Sequence, residues 1–490
     1  MSLQFIFGNS GSGKSYCLYK SIIEESIRHP KKNYLVLVPE QFTMQTQKDL
    51  CLMHPRGGIM NIDVLSFGRL AHRIFEEVGQ DDRPVLDDEG KNLILRKIAG
   101  KCEEDLSVLK GNLKKQGYIS EVKSVISEFT QYGVDLDCLD RFLDTMSEES
   151  FLYFKLKDIR RLYQDFEEYL SDKYITKEEM LDVLCSAVPR SDILKGSVIA
   201  MDGFTGFTPV QDRLLKELLK VCDKVMITVE MDGREDPFVY TTPYQLFALS
   251  KQMTTTLIKI AREAGTTVEE PICLYARPPY RFRENPAMAF LESELFRYSR
   301  REYHGKEGES VGISLHEARN PAQEARYVAG SIRRMVREKG YRYRDIAVIA
   351  SDMETYADPL EKACRTFDIP VFMDYKKSIL QNAFVEYLRS LLGMAEQNFT
   401  YESVFRYLRT GLCGFSREET DRLENYCLAL GIKGYRKWQQ AWVRKTSGMT
   451  EEELDELNHL RVRFVEKTDG LVQILKQRSK TVKDVTLAVY

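Results

Sequence analysis

The sequence has few of the signals that mark membrane, secreted or metal-cluster proteins. No apolar run approaches the length of a membrane span, and no signal-peptide pattern precedes the apolar stretch that begins at Leu3. The ten cysteines never occur at C-x-x-C spacing and the six histidines are scattered, which argues against a zinc or iron–sulfur site in this chain. We therefore expect a cytoplasmic protein whose thiols are reduced and mostly buried.

A strong net charge is also missing. The 71 basic and 74 acidic residues leave a formal net charge of −3, so no global basic field indicates nucleic-acid binding, although a local basic groove is compatible with it. Charged residues make up 30% and hydrophobic residues 43% of the chain, which is typical of a soluble globular protein. A length of 490 residues predicts roughly two to four domains.

What the sequence does contain is a complete phosphate-binding pattern near its N-terminus. Residues 8–15 match G-x-x-x-x-G-K-[ST], with an apolar strand predicted before them over 3–7 and a helix after them over 16–27. Such glycines let backbone N–H groups converge on phosphate oxygens at a helix N-terminus. The predicted nucleotide-binding residues are Gly8, Asn9, Ser10, Gly11, Ser12, Gly13, Lys14 and Ser15. Lys14 would reach the β- and γ-phosphates of ATP, and the Ser15 hydroxyl would bind Mg²⁺.

The alternation of predicted strands and helices indicates an α/β fold. Buried apolar strands are predicted over 34–38, 62–67, 197–202 and 224–229. Right-handed crossovers between such strands imply a doubly wound sheet. From about residue 87 to 188, charged amphipathic helices dominate, such as the one predicted over 151–170, and they indicate a helical insertion.

A second α/β unit is predicted after a connector rich in proline, arginine and tyrosine. Its predicted strands cover 311–315, 346–350 and 371–372, and its predicted helices cover 321–339, 356–367 and the chain from Ala383 onward. The expected organisation is a first lobe over 1–85 and 196–276, a helical insertion over 86–195, a connector over 277–309, a second lobe over 310–395 and a helical insertion over 396–490. Residues 481–490 are apolar and lack a polar tail, so we expect an N-terminal fragment of a longer protein.

The order of short motifs along the chain points to a family. The motifs are F-I-F-G at 5–8, L-V-P-E-Q-F-T at 37–43, V-L-S-F-G-R-L-A at 64–71, M-D-G-F-T-G-F-T-P at 201–209, N-P-A-Q-E-A at 320–325 and D-I-A-V-I at 345–349. In this combination the chain resembles AddB, called RexB in some bacteria. AddB is the B subunit of the bacterial ATP-dependent helicase–nuclease that processes double-strand DNA breaks.

The resemblance implies an architecture and partners that composition alone does not indicate. It implies two RecA-like P-loop lobes of the superfamily 1 helicase type with inserted helical subdomains. A nuclease domain with 5′→3′ exonuclease activity and a 4Fe-4S cluster would lie beyond Tyr490. The implied partners are an AddA-type motor subunit, in a heterodimer, and single- and double-stranded DNA, with no membrane. The helicase-like lobes would guide single-stranded DNA and contribute to recognition of the Chi recombination hotspot.

The residues that a helicase motor uses for ATP hydrolysis are incomplete here. Asp202 ends an apolar strand where it could support Mg²⁺ together with Ser15, but Gly203 follows it instead of a glutamate base. The predicted second-lobe strand is followed by Ser351, where active relatives carry an arginine that reaches the γ-phosphate. Superfamily 1 motors place a glutamine upstream of the loop to read adenine, and only seven residues precede Gly8 here.

Two acidic residues after the next strand, Glu230 and Asp232, could replace the missing base or could simply be solvated. We therefore expect a nucleotide-binding, motor-dead helicase-like portion, and we assign no catalytic residue. The alternative is an autonomous superfamily 1 DNA translocase with active ATP hydrolysis.

Candidate DNA contacts lie in the loops after the second and third strands. They are Gln41, Phe42, Thr43, Ser66, Phe67 and Arg69. Phe42 and Phe67 could stack on bases while Arg69 contacts a phosphate, or both phenylalanines could anchor their loops in the core. The connector stretch 277–283 interleaves arginines with aromatic residues and either tracks a DNA strand or lies on an acidic face. A second basic cluster, Arg333, Arg334, Arg337, Arg342 and Arg344, is typical of a solvated helix face.

Overall fold

The strands of the protein all lie in its N-terminal part, as far as the computed structural model describes the chain. The described residues are 1–79, 83–113, 115–171, 173–305, 312–375 and 377–490. They fall into two units, Met1–Ser314 and Leu315–Tyr490. The strands of the first unit are β1 (Ser2–Gly8), β2 (Tyr34–Leu37), β3 (Ile62–Leu65), β4 (Val85–Leu86), β5 (Ile175–Thr176), β6 (Val198–Met201), β7 (Lys224–Glu230), β8 (Thr267–Val268) and β9 (Ile272–Leu274).

Helices cover both faces of the sheet in the first unit and form the inserted segment. They are α1 (Lys14–Arg28), α2 (Thr43–Met53), α3 (Phe67–Val78), α4 (Asp88–Cys102), α5 (Gln116–Tyr132), α6 (Leu136–Asp144), α7 (Phe151–Leu170), α8 (Glu179–Ala187), α9 (Pro209–Val221), α10 (Ala248–Glu263) and α11 (Pro286–Glu294). None of the helices in the described ranges is long and apolar enough to span a membrane.

A parallel sheet organises the first unit. Its strand order is β3–β2–β6–β7–β1–β8, and β9 also pairs with β1. All of its pairings are parallel, and β1 runs beside β7 with Gly8 opposite Glu230. The carboxyl ends of β1, β2, β3, β6 and β7 therefore share one edge of the sheet. The predicted α/β class is confirmed as a mixed α/β fold with a mostly parallel sheet.

Successive residues of each strand serve two different cores. In β1, the side chains of Leu3, Phe5 and Phe7 pack with α3, α8, α9 and α10, whereas Ile6 packs on the opposite face with α1 and α2. This division follows from the two-residue period of a strand. Full burial of each such side chain contributes about 2 kcal/mol of hydrophobic stabilisation, so both faces hold the sheet in register.

Local sequence determines where the helix after β6 begins. Thr208 accepts a hydrogen bond from the Gln211 N–H, and the Gln211 side chain accepts one from the Thr208 N–H. This capping box satisfies two backbone donors, and Pro209 at the first helical position has no N–H to leave unpaired. The chain consequently turns back onto the sheet soon after Asp202.

The helices α4 to α7 surround a separate apolar core. A buried aspartate, Asp158 on α7, accepts hydrogen bonds of 2.7–3.1 Å from the N–H groups of Ser107, Val108 and Leu109. Because these donors belong to a loop, one carboxylate fixes the path of that loop against the helix. The predicted helix over 151–170 is confirmed without a shift. The strand β5 lies in the stretch predicted to be helical, where it pairs with β4 over two residues.

Helices are the regular secondary structure of the second unit in its described residues, and irregular segments join them. Its helices are α12 (Pro321–Lys339), α13 (Met353–Thr366), α14 (Ala383–Glu396), α15 (Tyr401–Leu408), α16 (Arg417–Leu430), α17 (Tyr435–Gln439), α18 (Glu451–Lys476) and α19 (Val482–Val489). Helices α12 and α13 pack on each other through small residues such as Ala325 and Ala329. The other helices enclose an aromatic core centred on Trp438 and Phe464, whose rings lie 4.5 Å apart.

The strands predicted for the second unit are wrong for every described residue in them; residue 311 lies outside the described ranges. The segments 312–315, 346–350 and 371–372 are irregular instead. Ile349 is 95% exposed and Phe372 is 89% exposed, although both belong to apolar runs. A strand is stable only when its backbone groups pair with a neighbouring strand, and none of the described segments pairs with these.

Candidate functional site

A glycine-rich loop, residues 8–15, joins β1 to α1 at the carboxyl edge of the sheet. Within this glycine loop the Ser12 N–H and the Lys14 ammonium both donate to the carbonyl of Asn9, at 3.2 and 2.9 Å. The first N–H groups of α1 have no partner inside the helix, and the helix dipole makes this end positive. The geometry therefore provides a concave set of donors suited to an anion.

Two polar atoms of the glycine loop are buried without a hydrogen-bond partner among the described residues. They are Nδ2 of Asn9 and Oγ of Ser12. Buried polar atoms are rarely left unpaired, because each one forfeits its hydrogen bonds to water. The residues present thus fit a ligand that brings oxygen atoms into the loop, as a phosphate does.

The Lys14 ammonium is partly withdrawn from water. Burial lowers its pKa, and the nearby carboxylates of Glu230 and Asp202 oppose that shift. The guanidinium of Arg281 lowers the pKa further, which places a second cation close to the loop. The site therefore concentrates positive charge where the loop donors converge.

Asp202 is buried at the end of β6 and is held by two hydroxyl groups. The Tyr19 hydroxyl on α1 donates to Oδ2 at 2.7 Å, and the Thr228 hydroxyl on β7 donates to Oδ1 at 2.5 Å. Burial and the Asp202 charge raise the pKa of Tyr19, so this hydroxyl stays a donor. Asp202 thereby ties the helix of the glycine loop to the centre of the sheet.

Ser15, one of the two predicted magnesium residues, and Gly203, which occupies the position of the missing base, lie in different surroundings. The Ser15 hydroxyl belongs to an exposed residue at the start of α1, and no group of three or more metal-binding side chains converges within the described ranges. Gly203 has a φ of 79°, a left-handed conformation that a glutamate adopts only with strain. The backbone after Asp202 is therefore unsuited to a glutamate base.

The two substitute acids occupy very different surroundings. Asp232 is buried and contacts Arg234, Arg277 and Arg297 at 2.7–2.9 Å. Burial alone would raise its pKa, but hydrogen bonds from Arg234 and the charge of Arg297 hold that pKa well below its usual range. A carboxylate bound in this way is a poor proton acceptor. Glu230 is exposed beside Gly8, and its charge raises the pKa of Lys14.

The candidate DNA-contact residues lie at the carboxyl edge of the sheet, and they differ in their exposure to solvent. The exposed ones are Gln41, Phe42 and Arg69, and the buried ones are Thr43, Ser66 and Phe67. Phe67 is 8% exposed and its ring packs 5.5 Å from that of Phe204, whereas Phe42 is 48% exposed. Burial favours the core-anchor interpretation for Phe67, while Phe42 remains available to a ligand.

Several of the basic side chains have partners within the protein. Arg277 donates to Asp232 at 2.9 Å, which favours the acidic-face interpretation for this part of the connector. The Arg283 guanidinium lies 4.8 Å from the centre of the Tyr280 ring. In the second unit, Arg342 lies beyond the end of α12 and donates to Asp345 at 2.7 Å, so this arginine is not part of a helix face.

Sequence reasoning did not identify Tyr19, Thr228 or Arg281 as parts of this site. Tyr19 follows Ser15 by four residues, so a helix starting at Lys14 turns it toward the sheet, and this spacing was a usable signal. Thr228 alternates inward in β7 beside Asp202. Nothing in the pattern indicates that Arg281, about 270 residues further along the chain, returns to the glycine loop.

The fold and the site define a class: an α/β protein with a mostly parallel sheet, whose glycine-rich loop connects an inner strand to a helix N-terminus. A family model described as "ADDB, N-terminal" matches residues 5–292. A relative from Lachnoclostridium phytofermentans, named as the B subunit of an ATP-dependent helicase/deoxyribonuclease, is 42% identical over 493 residues that cover 100% of this chain and 43% of the relative. The chain belongs to the AddB family.

Further relatives carry the same name. One from Clostridium perfringens strain SM101 is 32% identical over 504 residues, covering 100% of this chain and 43% of the relative. One from Caldanaerobacter subterraneus subsp. tengcongensis is 36% identical over 463 residues, covering 93% of this chain and 39% of the relative. The chain thus spans less than half the length of the curated relatives it matches.

Proposed function

We propose that this chain is the nucleotide-binding, helicase-like portion of the B subunit of an ATP-dependent helicase–nuclease that processes DNA breaks in the cytoplasm. The observation that carries this proposal is the glycine loop with its unpartnered Asn9 and Ser12 atoms and its Lys14 ammonium. The names of the relatives supply the class of complex. In this proposal an AddA-type subunit is the motor, and DNA is the shared substrate.

A RecA-like first lobe is part of the proposal, whereas the second unit forms no strand in its described residues and offers no sheet for a second such lobe. The strand order of the first unit supports the first lobe, because β7 lies between the loop strand β1 and the strand that ends at Asp202. The exposed edge with Gln41, Phe42 and Arg69 would contact single-stranded DNA that the motor delivers. Recognition of Chi, the exonuclease and a 4Fe-4S cluster belong to the proposal for the longer protein.

Mg²⁺ would enter with ATP and would be held by Ser15 and Asp202. The ion would neutralise phosphate charge when bound. The Asp202 oxygens each accept one hydrogen bond from a hydroxyl, and each keeps a further lone pair. Lys14 and the α1 N-terminus would orient the phosphates.

Slow turnover follows from the acids around the loop. Gly203 offers no carboxylate, Asp232 is bound by arginines, and Glu230 is the exposed acid that remains. A general base contributes about 10²–10⁴ in rate, so hydrolysis without one should fall far below that of a working motor. We therefore propose that the glycine loop binds ATP and hydrolyses it only slowly.

An ATPase and binding experiment on this chain tests the proposal. Lys14→Ala should abolish ATP binding, because the loop then loses its phosphate-facing cation. Lys20→Ala is the matched control, since Lys20 lies on the same helix and forms an exposed pair with Glu24. Single-stranded DNA should leave ATP turnover slow. Fast DNA-stimulated turnover that Lys14→Ala removes would contradict the motor-dead proposal and favour the autonomous translocase.

A further inference from the structure

The connector returns to the glycine loop along the carboxyl edge of the sheet. Strand β9 pairs with the last residues of β1, and Leu274 lies opposite Gly8. The ring of Tyr275 then packs so closely on Gly233 that an added Cβ would lie 2.8 Å from it. Arg277 follows with its 2.9 Å hydrogen bond to Asp232. Three successive contacts therefore direct the next residues over the loop.

At the end of this path, a short 3-10 turn, Tyr280–Phe282, sits directly on the loop. The Arg281 N–H donates to the Gly11 carbonyl at 3.0 Å. A Cβ on Gly11 would lie 2.8 Å from the Arg281 Cβ, and Gly11 has a φ of 73°. The close approach and the left-handed backbone both require glycine at this position, so the loop and the turn are fitted to each other.

The Arg281 side chain is a cation that forms no ion pair with any described residue. It belongs to an exposed residue, and across the described ranges it forms neither an ion pair nor a side-chain hydrogen bond. It is close enough to Lys14 for its charge to lower the pKa of that ammonium. The acids Glu230, Asp202 and Glu292 raise the same pKa. Two cations converge on a loop that also holds the unpartnered Asn9 and Ser12 atoms.

We propose that Arg281 is a nucleotide-binding residue that contacts the terminal phosphate of a nucleoside triphosphate held by the glycine loop. This inference rests on the function proposed above. A guanidinium matches phosphate oxygens through paired N–H donors, which an ammonium does not. The connector then contributes the cation that distinguishes a triphosphate from a diphosphate. Asp232 positions the connector by its hydrogen bond with Arg277.

The test compares ATP with ADP, each labelled with a methylanthraniloyl fluorophore, on the intact chain. Arg281→Ala should weaken ATP binding about tenfold to a hundredfold and ADP binding less than about threefold, the size expected for a charge-assisted hydrogen bond. Arg281→Lys should recover part of the ATP affinity. The matched control is Arg283→Ala, which alters the neighbouring arginine on Tyr280 and should change neither affinity.

The outcomes separate this inference from the function on which it rests. Wild-type binding of ATP that Lys14→Ala abolishes but Arg281→Ala leaves intact would overturn the role of Arg281 and keep the proposed function. Equal weakening of ATP and ADP by Arg281→Ala would overturn the assignment to the terminal phosphate. Absence of binding by the wild-type chain would overturn both.

Discussion

The Tyr19 hydroxyl donates a 2.7 Å hydrogen bond to the Asp202 carboxylate, which joins the helix of the glycine loop to the strand β6 across the sheet. The carboxylate also accepts from Thr228, so three elements meet at one buried acid. Asp202 was predicted as a magnesium residue from its place at a strand end. Its contacts give it a second task, which is to fix where α1 begins relative to the sheet.

Tyr19→Phe should lower the free energy of unfolding by about 1–2 kcal/mol. The substitution removes the hydroxyl that satisfies a buried carboxylate oxygen and leaves the ring packing unchanged. Urea unfolding followed by circular dichroism measures the change. Tyr16→Phe is the control, because Tyr16 lies on the same helix with its side chain exposed and should change stability by less than about 0.5 kcal/mol. Equal effects of the two substitutions would contradict the role given to Tyr19.

Asp158→Ala should destabilise the inserted helices by about 3 kcal/mol. The N–H groups of Ser107, Val108 and Leu109 would lose the buried carboxylate that accepts from them. Hydrogen exchange at these three amides should become faster as well. The control is Asp165→Ala on the same helix, which breaks only a pair with Arg161 at 3.2 Å and should cost less than about 1 kcal/mol.

Phe42 and Phe67 should differ sharply when each is changed to alanine. Phe67→Ala opens a cavity beside Phe204 and should cost about 3 kcal/mol of stability. Phe42→Ala should leave stability nearly unchanged and weaken binding of an oligothymidylate about tenfold, if a base stacks on the exposed ring. Fluorescence anisotropy of a labelled oligonucleotide measures the second effect. Unchanged DNA affinity in Phe42→Ala would remove this residue from the proposed DNA contacts.

Asp212→Asn should stabilise the protein at high pH. Burial raises the pKa of Asp212 from 3.8 to about 6, so the unfolded chain releases this proton at lower pH than the folded chain does. The charged form therefore costs stability progressively between about pH 4 and pH 6, and the full cost persists above that window. We expect a gain of about 1–2 kcal/mol at pH 8, after allowance for partial solvent contact and the helix N-terminus, and none near pH 4.

The matched control for this pH dependence is Asp192→Asn. Asp192 is exposed, and its hydrogen bond from Lys195 lowers its pKa, so its charged form is favoured in the folded protein. The substitution should give no gain in stability at pH 8. A gain of similar size in both variants would show that general charge reduction, rather than burial of Asp212, is responsible.

Much of the first unit could be predicted because its signals are local. The apolar runs that became β2 and β7 and the apolar spacing of α7 are each contained in a few neighbouring residues. The glycine loop is likewise a local pattern. Apolar runs therefore predict the strands of the sheet, and the glycine pattern predicts the loop, without any contact between distant residues.

The remaining features depend on contacts between residues far apart in the chain. The run 346–350 has strand composition, yet a strand forms only with a hydrogen-bonded neighbour, and none pairs with it in the described part of the second unit. The sequence around Asp232 fits either a substitute base or a solvated acid, whereas the structure pairs it with Arg277 and Arg297. The charge of Arg281 near Lys14 depends in the same way on the return of the connector.

The uncovered apolar side chains of the second unit affect how this chain behaves in solution. Ile349 and Phe372 are exposed on irregular segments that pair with no strand in the part of the chain that the structure describes. Exposed β-prone stretches of this kind promote edge-to-edge association and aggregation. The isolated 490-residue chain should therefore self-associate as its concentration rises, and charged substitutions at these two positions should improve its solubility without disturbing the glycine loop.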